Sequence, residues 1–320
     1  MEVLSAAMQR KKDQHRKTRS FASKVLLVIL VLGLSGCSTL RLSYGYLDWW
    51  LSWKLGDYIE LNETQSDQFA AQVDAFHQWH RTTQLPEYAD MLEQMAADVA
   101  QGEVDSTWLM RASDRFERLW EASGQQLITG VAPVAGSLSR AQLTELGENL
   151  RERNRKDLKD WNGESSKRVK KRAKRMKKNL KRWLGRLTPE QNRIVDNWAA
   201  NLSSFLQQHI AQRELWQGQL LALLYAPPAT FEQDFTRLVV DPEHLWSPDY
   251  RAHIEARQQQ VIEMIAQILA TASEKQKAHL IGELQRYADD FRYLAAQGDQ
   301  PDTVRQSTQA PISMKPSPAT

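Results

Sequence analysis

Three sets of residues in this sequence have types and spacings that can do chemistry. The first is Cys37, the only cysteine among 320 residues, a thiol without a partner for a disulfide or companions for a cysteine-based zinc site. The second is His77 and His80, which at this spacing meet on one helix face as metal ligands can. Asp74 is the only further ligand nearby, and a metal needs a third and a fourth. A histidine pair packed between a helix cap and the core is therefore the favoured reading, and no metal is expected. The third is a run of cations: Lys167, Arg168, Lys170, Lys171, Arg172, Lys174, Arg175, Lys177, Lys178, Lys181 and Arg182, with no acidic residue between Glu164 and Glu190. The Gly-x-x-x-x-Gly-Lys, Gly-x-Ser-x-Gly and His-Glu-x-x-His patterns are absent. Scattered carboxylates such as Glu148/Glu152 and Asp289/Asp290 read as solvated helix faces. Neither an enzyme nor a cofactor is expected.

The surroundings of Cys37 give its chemistry. Residues 1–24 are basic, and Val25 to Leu34 is a ten-residue apolar run interrupted only by Gly33. Such a run is too short for a bilayer span, which needs about 20 residues, but suits the apolar core of an export signal. Leu34-Ser35-Gly36-Cys37 follows at once and resembles a bacterial lipobox: small residues open the scissile bond to a peptidase, and the thiol takes a thioether-linked diacylglycerol. A short signal anchor with a structural cysteine is the alternative. Under the lipobox reading residues 1–36 are a signal (Met8 offers a second start) and two or three acyl chains on Cys37 hold the protein stably to a membrane. Ser38, rather than Asp, after the cysteine is similar to the sorting pattern for the outer membrane.

Charge is informative only after the signal is set aside. The full chain carries 42 Lys and Arg against 39 Asp and Glu. The basic excess belongs to residues 1–36, so it does not argue for nucleic acid, and none is expected as a partner. Within the mature chain, residues 151–187 hold 17 Lys or Arg against Glu152, Asp157, Asp160 and Glu164. Either neighbouring acidic helices neutralise this stretch, or it displays charge to an anionic envelope component: peptidoglycan, lipopolysaccharide phosphates or acidic phospholipid.

The elements that must position these residues are helices. Gly and Pro are scarce, 14 and 11, and no alternating strand pattern of useful length appears. Tyr44, Tyr46, Trp49, Trp50, Trp53 and Tyr58 make the segment after the anchor aromatic; packing into the core is favoured over a seat at the membrane interface. Phe69, Val73, Phe76 and His80 form the first stripe, which Pro86 ends. Leu109 to Leu127 marks a later helix, closed by a break from Gly130 to Gly136. In the basic helix Val169, Ala173, Met176, Leu180 and Trp183 make the seam, leaving most Lys and Arg outside it. Thr188-Pro189-Glu190-Gln191 opens a helix whose periodicity continues to Tyr225.

The caps recur: Leu61-Asn62-x-x-Gln65, Leu138-Ser139-x-x-Gln142, Leu187-Thr188-x-x-Gln191 and Ser273-x-x-Gln276. The plain reading is a capping box with a hydrophobic staple. Leu187-Thr188-Pro189-Glu190-Gln191 is also similar to the LTxxQ motif of Spy/CpxP-type periplasmic helical chaperones. More broadly, Asp48-Trp49-Trp50, the stretch from Phe76-His77-Gln78-Trp79-His80-Arg81 to Leu85-Pro86-Glu87-Tyr88-Ala89, and Arg182-Trp183-Leu184-Gly185 running into Leu187 resemble a family of uncharacterised bacterial lipoproteins, a domain of unknown function. That resemblance implies a helical envelope protein and no activity.

The expectation is an all-α chain: signal 1–36, lipidated aromatic tether 37–61, one helical bundle 62–298 and a disordered tail 299–320. Its expected role is that of a non-catalytic, outer-membrane lipoprotein on the periplasmic side, binding an anionic envelope component through the basic helix. The alternative is a chaperone-like protein holding unfolded or outer-membrane clients.

Overall fold

The computed structural model describes residues 40–41, 44–161, 165–202 and 205–297. The signal, Cys37 with its lipobox, and the tail 299–320 lie outside the described residues. All described elements are helical: α1 (Leu47–Gly56), α2 (Glu63–Trp79), a π-helical turn (His80–Gln84), α3 (Leu85–Gln101), α4 (Ser106–Gly136), α5 (Arg140–Trp161), α6 (Ser165–Leu184), α7 (Pro189–Asn201), α8 (Leu206–Tyr225), α9 (Phe231–Val240), a 3-10 turn (Pro242–Leu245), α10 (Pro248–Ala270) and α11 (Glu274–Ala296). The chain is an all-α single domain, as its periodicity implies.

Two apolar clusters organise the bundle. The larger joins α3, α6, α7, α10 and α11 around Leu85, Leu92, Met176, Val195, Ile268 and Tyr287. The smaller joins α5, α8, α9 and the second half of α4 around Ala132, Leu143, Leu220, Phe231 and Phe235. Helix α4 contributes Trp108 to the first and Ala132 to the second, so one rod of 31 residues, about 46 Å long at 1.5 Å per residue, runs through both.

Three boundaries depart from the sequence reading. The Gly130–Gly136 stretch is no break: α4 passes through Pro133 because Ala132 and Val134 are buried, and their packing outweighs the hydrogen bond that proline forfeits. Pro86 does not end the first helix either. The chain continues through the π turn, and hydroxyls take up carbonyls there: Thr83 donates to Trp79 O at 2.6 Å and Thr82 to Gln78 O at 3.1 Å. Conversely, the long helix drawn from Thr188 to Tyr225 is two. Leu202 is extended (ψ 110°), and the Arg172 guanidinium donates to Ala199 O at 2.9 Å and Leu202 O at 2.8 Å, closing the end of α7.

Candidate functional site

Helix α6 forms because its apolar residues repeat at spacings of three and four. Ala173, Met176, Leu180 and Leu184 are buried, with Val169 and Trp183 half-buried beside them. Gly185, at φ +69°, ends it in the left-handed conformation that glycine adopts without strain. That seam fixes where the cations go. Lys167, Lys170, Lys171, Lys174, Arg175, Lys178 and Lys181 are exposed; Arg168, Arg172, Lys177 and Arg182 are half-buried.

Their surroundings differ. Lys177 pairs with Asp196 at 2.7 Å, and Arg172 is spent on the end of α7. Among the described residues no carboxylate stands within ion-pairing distance of Lys170, Lys171, Lys174, Arg175, Lys178 or Lys181. On its inner rim the helix meets another cation. Burial and then the neighbouring Arg172 charge lower Arg257 of α10 to about 10; burial, followed by Arg168, lowers Arg172. Positive charge thus accumulates from α6 toward α10. A surface cleft of about 460 Å³ continues the basic surface, lined by Lys181, Arg186, Leu187, Thr188, Pro189 and Asn192.

The four recurrent caps prove to be two couples. All are capping boxes, the side chain and backbone of each end bonding reciprocally. Beyond that, Gln191 and Gln276 exchange amide hydrogen bonds at 3.1 and 2.9 Å, and Gln276 also donates to Arg186 O at 3.0 Å. Gln65 and Gln142 do the same at 3.4 and 2.7 Å, with Gln142 donating to Glu60 O at 2.7 Å. Each couple ties two helix starts together, α7 to α11 and α2 to α5. Gln191 is fully buried.

His77 and His80 lie in an aromatic cluster. The Tyr44 ring stacks on His77 with centroids 4.6 Å apart, and its hydroxyl meets His80 Nδ1 at 2.8 Å. Burial, then the neighbouring His77, lowers His80 to about 4, and burial raises the Tyr44 hydroxyl, so both are neutral at pH 7. Among the described residues no three His, Cys, Asp or Glu side chains are grouped to hold a metal ion. A second pair, His209 Nδ1 and Tyr250 Oη at 2.8 Å, sits beside Phe205 and His253.

Two readings of the N-terminal segment and its partner need correction. The aromatic segment divides: Tyr44 packs against the core and Tyr58 is half-buried, but Tyr46, Trp49, Trp50 and Trp53 are 65, 63, 46 and 55% exposed, because α1 turns its leucines, not its indoles, toward α2. Nor is Asp290 a solvated carboxylate. It is fully buried, with Arg41 Nε at 2.5 Å and Arg286 Nη1 at 3.8 Å, since desolvating a carboxylate requires such partners.

A family model matches residues 57–251. The chain belongs to DUF6279, a family of unknown function. No curated protein and no solved structure matches it. In this DUF6279 chain the match spans α2 to the first residues of α10 and therefore includes the whole basic helix and three of the four glutamine caps. Sequence reasoning found the cations and favoured the core for Tyr44, but missed Arg41 and misread Asp290. The signal for that latch was faint: an Arg and a Tyr in an otherwise apolar and aromatic approach to α1.

Proposed function

We propose that this DUF6279 protein is a non-catalytic, lipid-anchored envelope protein of the outer membrane's periplasmic side, and that α6 holds an anionic envelope component. One observation carries the reading: six exposed cations of α6 have no carboxylate partner among the described residues, although the chain outside residues 151–187 is acidic and rich in such partners. Like charges at i+3 and i+4 cost a few tenths of a kcal/mol per pair, and Glu interspersed along the helix relieves that. A polyanion supplies the missing charge from outside. Peptidoglycan, lipopolysaccharide phosphates and acidic phospholipid share this chemistry. Anchoring rests on the lipobox; no described helix is long and apolar enough to cross a membrane.

The test reverses Lys170, Lys171, Lys174 and Lys178 to Glu, leaving Arg172 and Lys177 in their structural roles. Binding to anionic vesicles, lipopolysaccharide and peptidoglycan is measured across a salt series. The reading expects wild-type affinity to fall steeply with salt and the variant's to be weak and flat, while the melting temperature holds or rises. A variant that binds as well as wild type, or a wild type indifferent to salt, overturns it and leaves the chaperone-like alternative.

A further inference from the structure

Helix α1 carries two apolar faces, and only one of them is used. Leu47, Leu51 and Leu55 are half-buried on the side toward the body. Tyr46, Trp49, Trp50 and Trp53, at i, i+3, i+4 and i+7, occupy a single arc on the other side and are exposed, with Trp49 and Trp53 stacked 6.1 Å apart. The outward face has a particular composition: every large side chain on it is Trp or Tyr, amphipathic rings that favour the boundary between headgroups and acyl chains.

What covers this face follows from how the chain enters it. Arg41 is fixed to buried Asp290, and its guanidinium lies 4.0 Å from the Tyr293 ring centroid. Tyr44 is fixed between His77, His80 and Arg81. The run from Cys37 to Leu40 spans at most about 11 Å even when fully extended, because each residue adds no more than ~3.6 Å. Acyl chains on Cys37 therefore leave the body close beside Leu40, and α1 begins seven residues after Leu40. Between Leu40 and α1 the chain is therefore held to the body at two points, Arg41 and Tyr44.

We infer that the Tyr46–Trp49–Trp50–Trp53 ridge of α1 lies in the lipid interface beside the acyl anchor, seating the body on the bilayer in one orientation. The occupant is the membrane itself. This inference rests on the lipid-anchor reading and goes beyond it: an anchor alone leaves the body free to tumble, whereas a ridge sets which face looks away.

The test uses the mature, full-length protein purified from membranes. Acylation consumes the Cys37 thiol, so Trp53→Cys and Trp49→Cys each introduce one free thiol for an environment-sensitive fluorophore; Leu215→Cys on exposed α8 is the control. The labelled proteins are placed in neutral phosphatidylcholine vesicles, where α6 gains nothing from headgroup charge, with and without lipids brominated near the headgroup. The expected result is a shift to shorter wavelength and quenching by the brominated lipid at positions 49 and 53, with neither at 215. Equal, water-like emission at all three positions overturns the inference. So does protection at 49 and 53 that brominated lipid fails to quench and that crosslinks to a second copy or another protein. Label stoichiometry judges the anchor separately. Two labels per chain show Cys37 free and refute lipidation, and the same variants carrying Cys37→Ala then decide by quenching whether the ridge meets lipid.

Discussion

Replacing Gln191 by Ala removes the centre of the α7–α11 couple. Its amide oxygen accepts from Thr188 N at 3.0 Å and from Gln276 Nε2 at 2.9 Å, and its nitrogen donates to Gln276 Oε1 at 3.1 Å. The site is fully buried, so water does not replace these bonds. The capping loss costs about 1 kcal/mol. Leaving Gln276 short of a buried partner costs about 1–3 kcal/mol more, giving roughly 3 kcal/mol in all. For a domain of this size that is about 6–12 °C in melting temperature. Gln276→Ala is expected to cost similarly. The double variant should lose less than the sum by about 1 kcal/mol or more, because the amide pair is lost only once. The assay is a double-mutant cycle by urea unfolding followed by circular dichroism. Additivity within about 0.5 kcal/mol refutes the coupling and reduces the four caps to independent boxes.

Four further outcomes follow from particular residues. Arg41→Ala strips buried Asp290 of its nearest cation and should cost about 3 kcal/mol; limited proteolysis should then cut between residues 44 and 58 faster than in the wild type. His80 has a folded pKa of about 4 against 6.5 unfolded, so the unfolded state binds more protons between those values. Stability is therefore complete above about pH 6.5 and lost as pH falls toward 4, by on the order of 3 kcal/mol, and His80→Phe should flatten that slope in thermal melts. Gly185→Ala places a side chain at φ +69° and should destabilise by about 1–2 kcal/mol, whereas Gly282→Ala, an exposed position within α11 with no atom near the new Cβ, should stabilise by about 0.5–1 kcal/mol. Arg172→Met, which keeps the apolar stem and loses both carbonyl bonds, should speed hydrogen exchange at the end of α7 without altering α6.

What was legible in the sequence was local. The seam of α6 and the starts at Asn62, Ser139, Thr188 and Ser273 all follow from spacing and caps, which act within one or two turns. The partners of those caps were not legible: Gln65 finds Gln142 and Gln191 finds Gln276 across 77 and 85 residues. Asp290 was misread for the same reason, since its cation lies 249 positions away. The indoles of α1 were assigned to the core because large aromatic rings are usually buried; only the leucines on the opposite face reveal which side is inside. Pro133 and Leu202 failed in opposite directions. Burial carried a helix through a proline, and a side chain from α6 stopped a helix whose periodicity ran on.

The 31-residue rod α4 has a mechanical consequence. Its first half is gripped by the larger cluster and its second half by the smaller, so it acts as the axle on which two unequal masses are mounted. Loosening α9 frees one side of the far end of the axle, where Pro133 already interrupts the hydrogen-bond ladder, while α2 still holds that end through Gln65 Nε2, which donates to Ser137 O at 3.0 Å. Loosening α3 or α10 removes the bearing that holds the near end. Helix α1 with its indoles is coupled to both masses, at its start through the contacts of Arg41 and Tyr44 with α11 and α2, and just past its end through Asn149 Nδ2 of α5, which donates to Tyr58 O at 2.9 Å, so a load on the indoles reaches both.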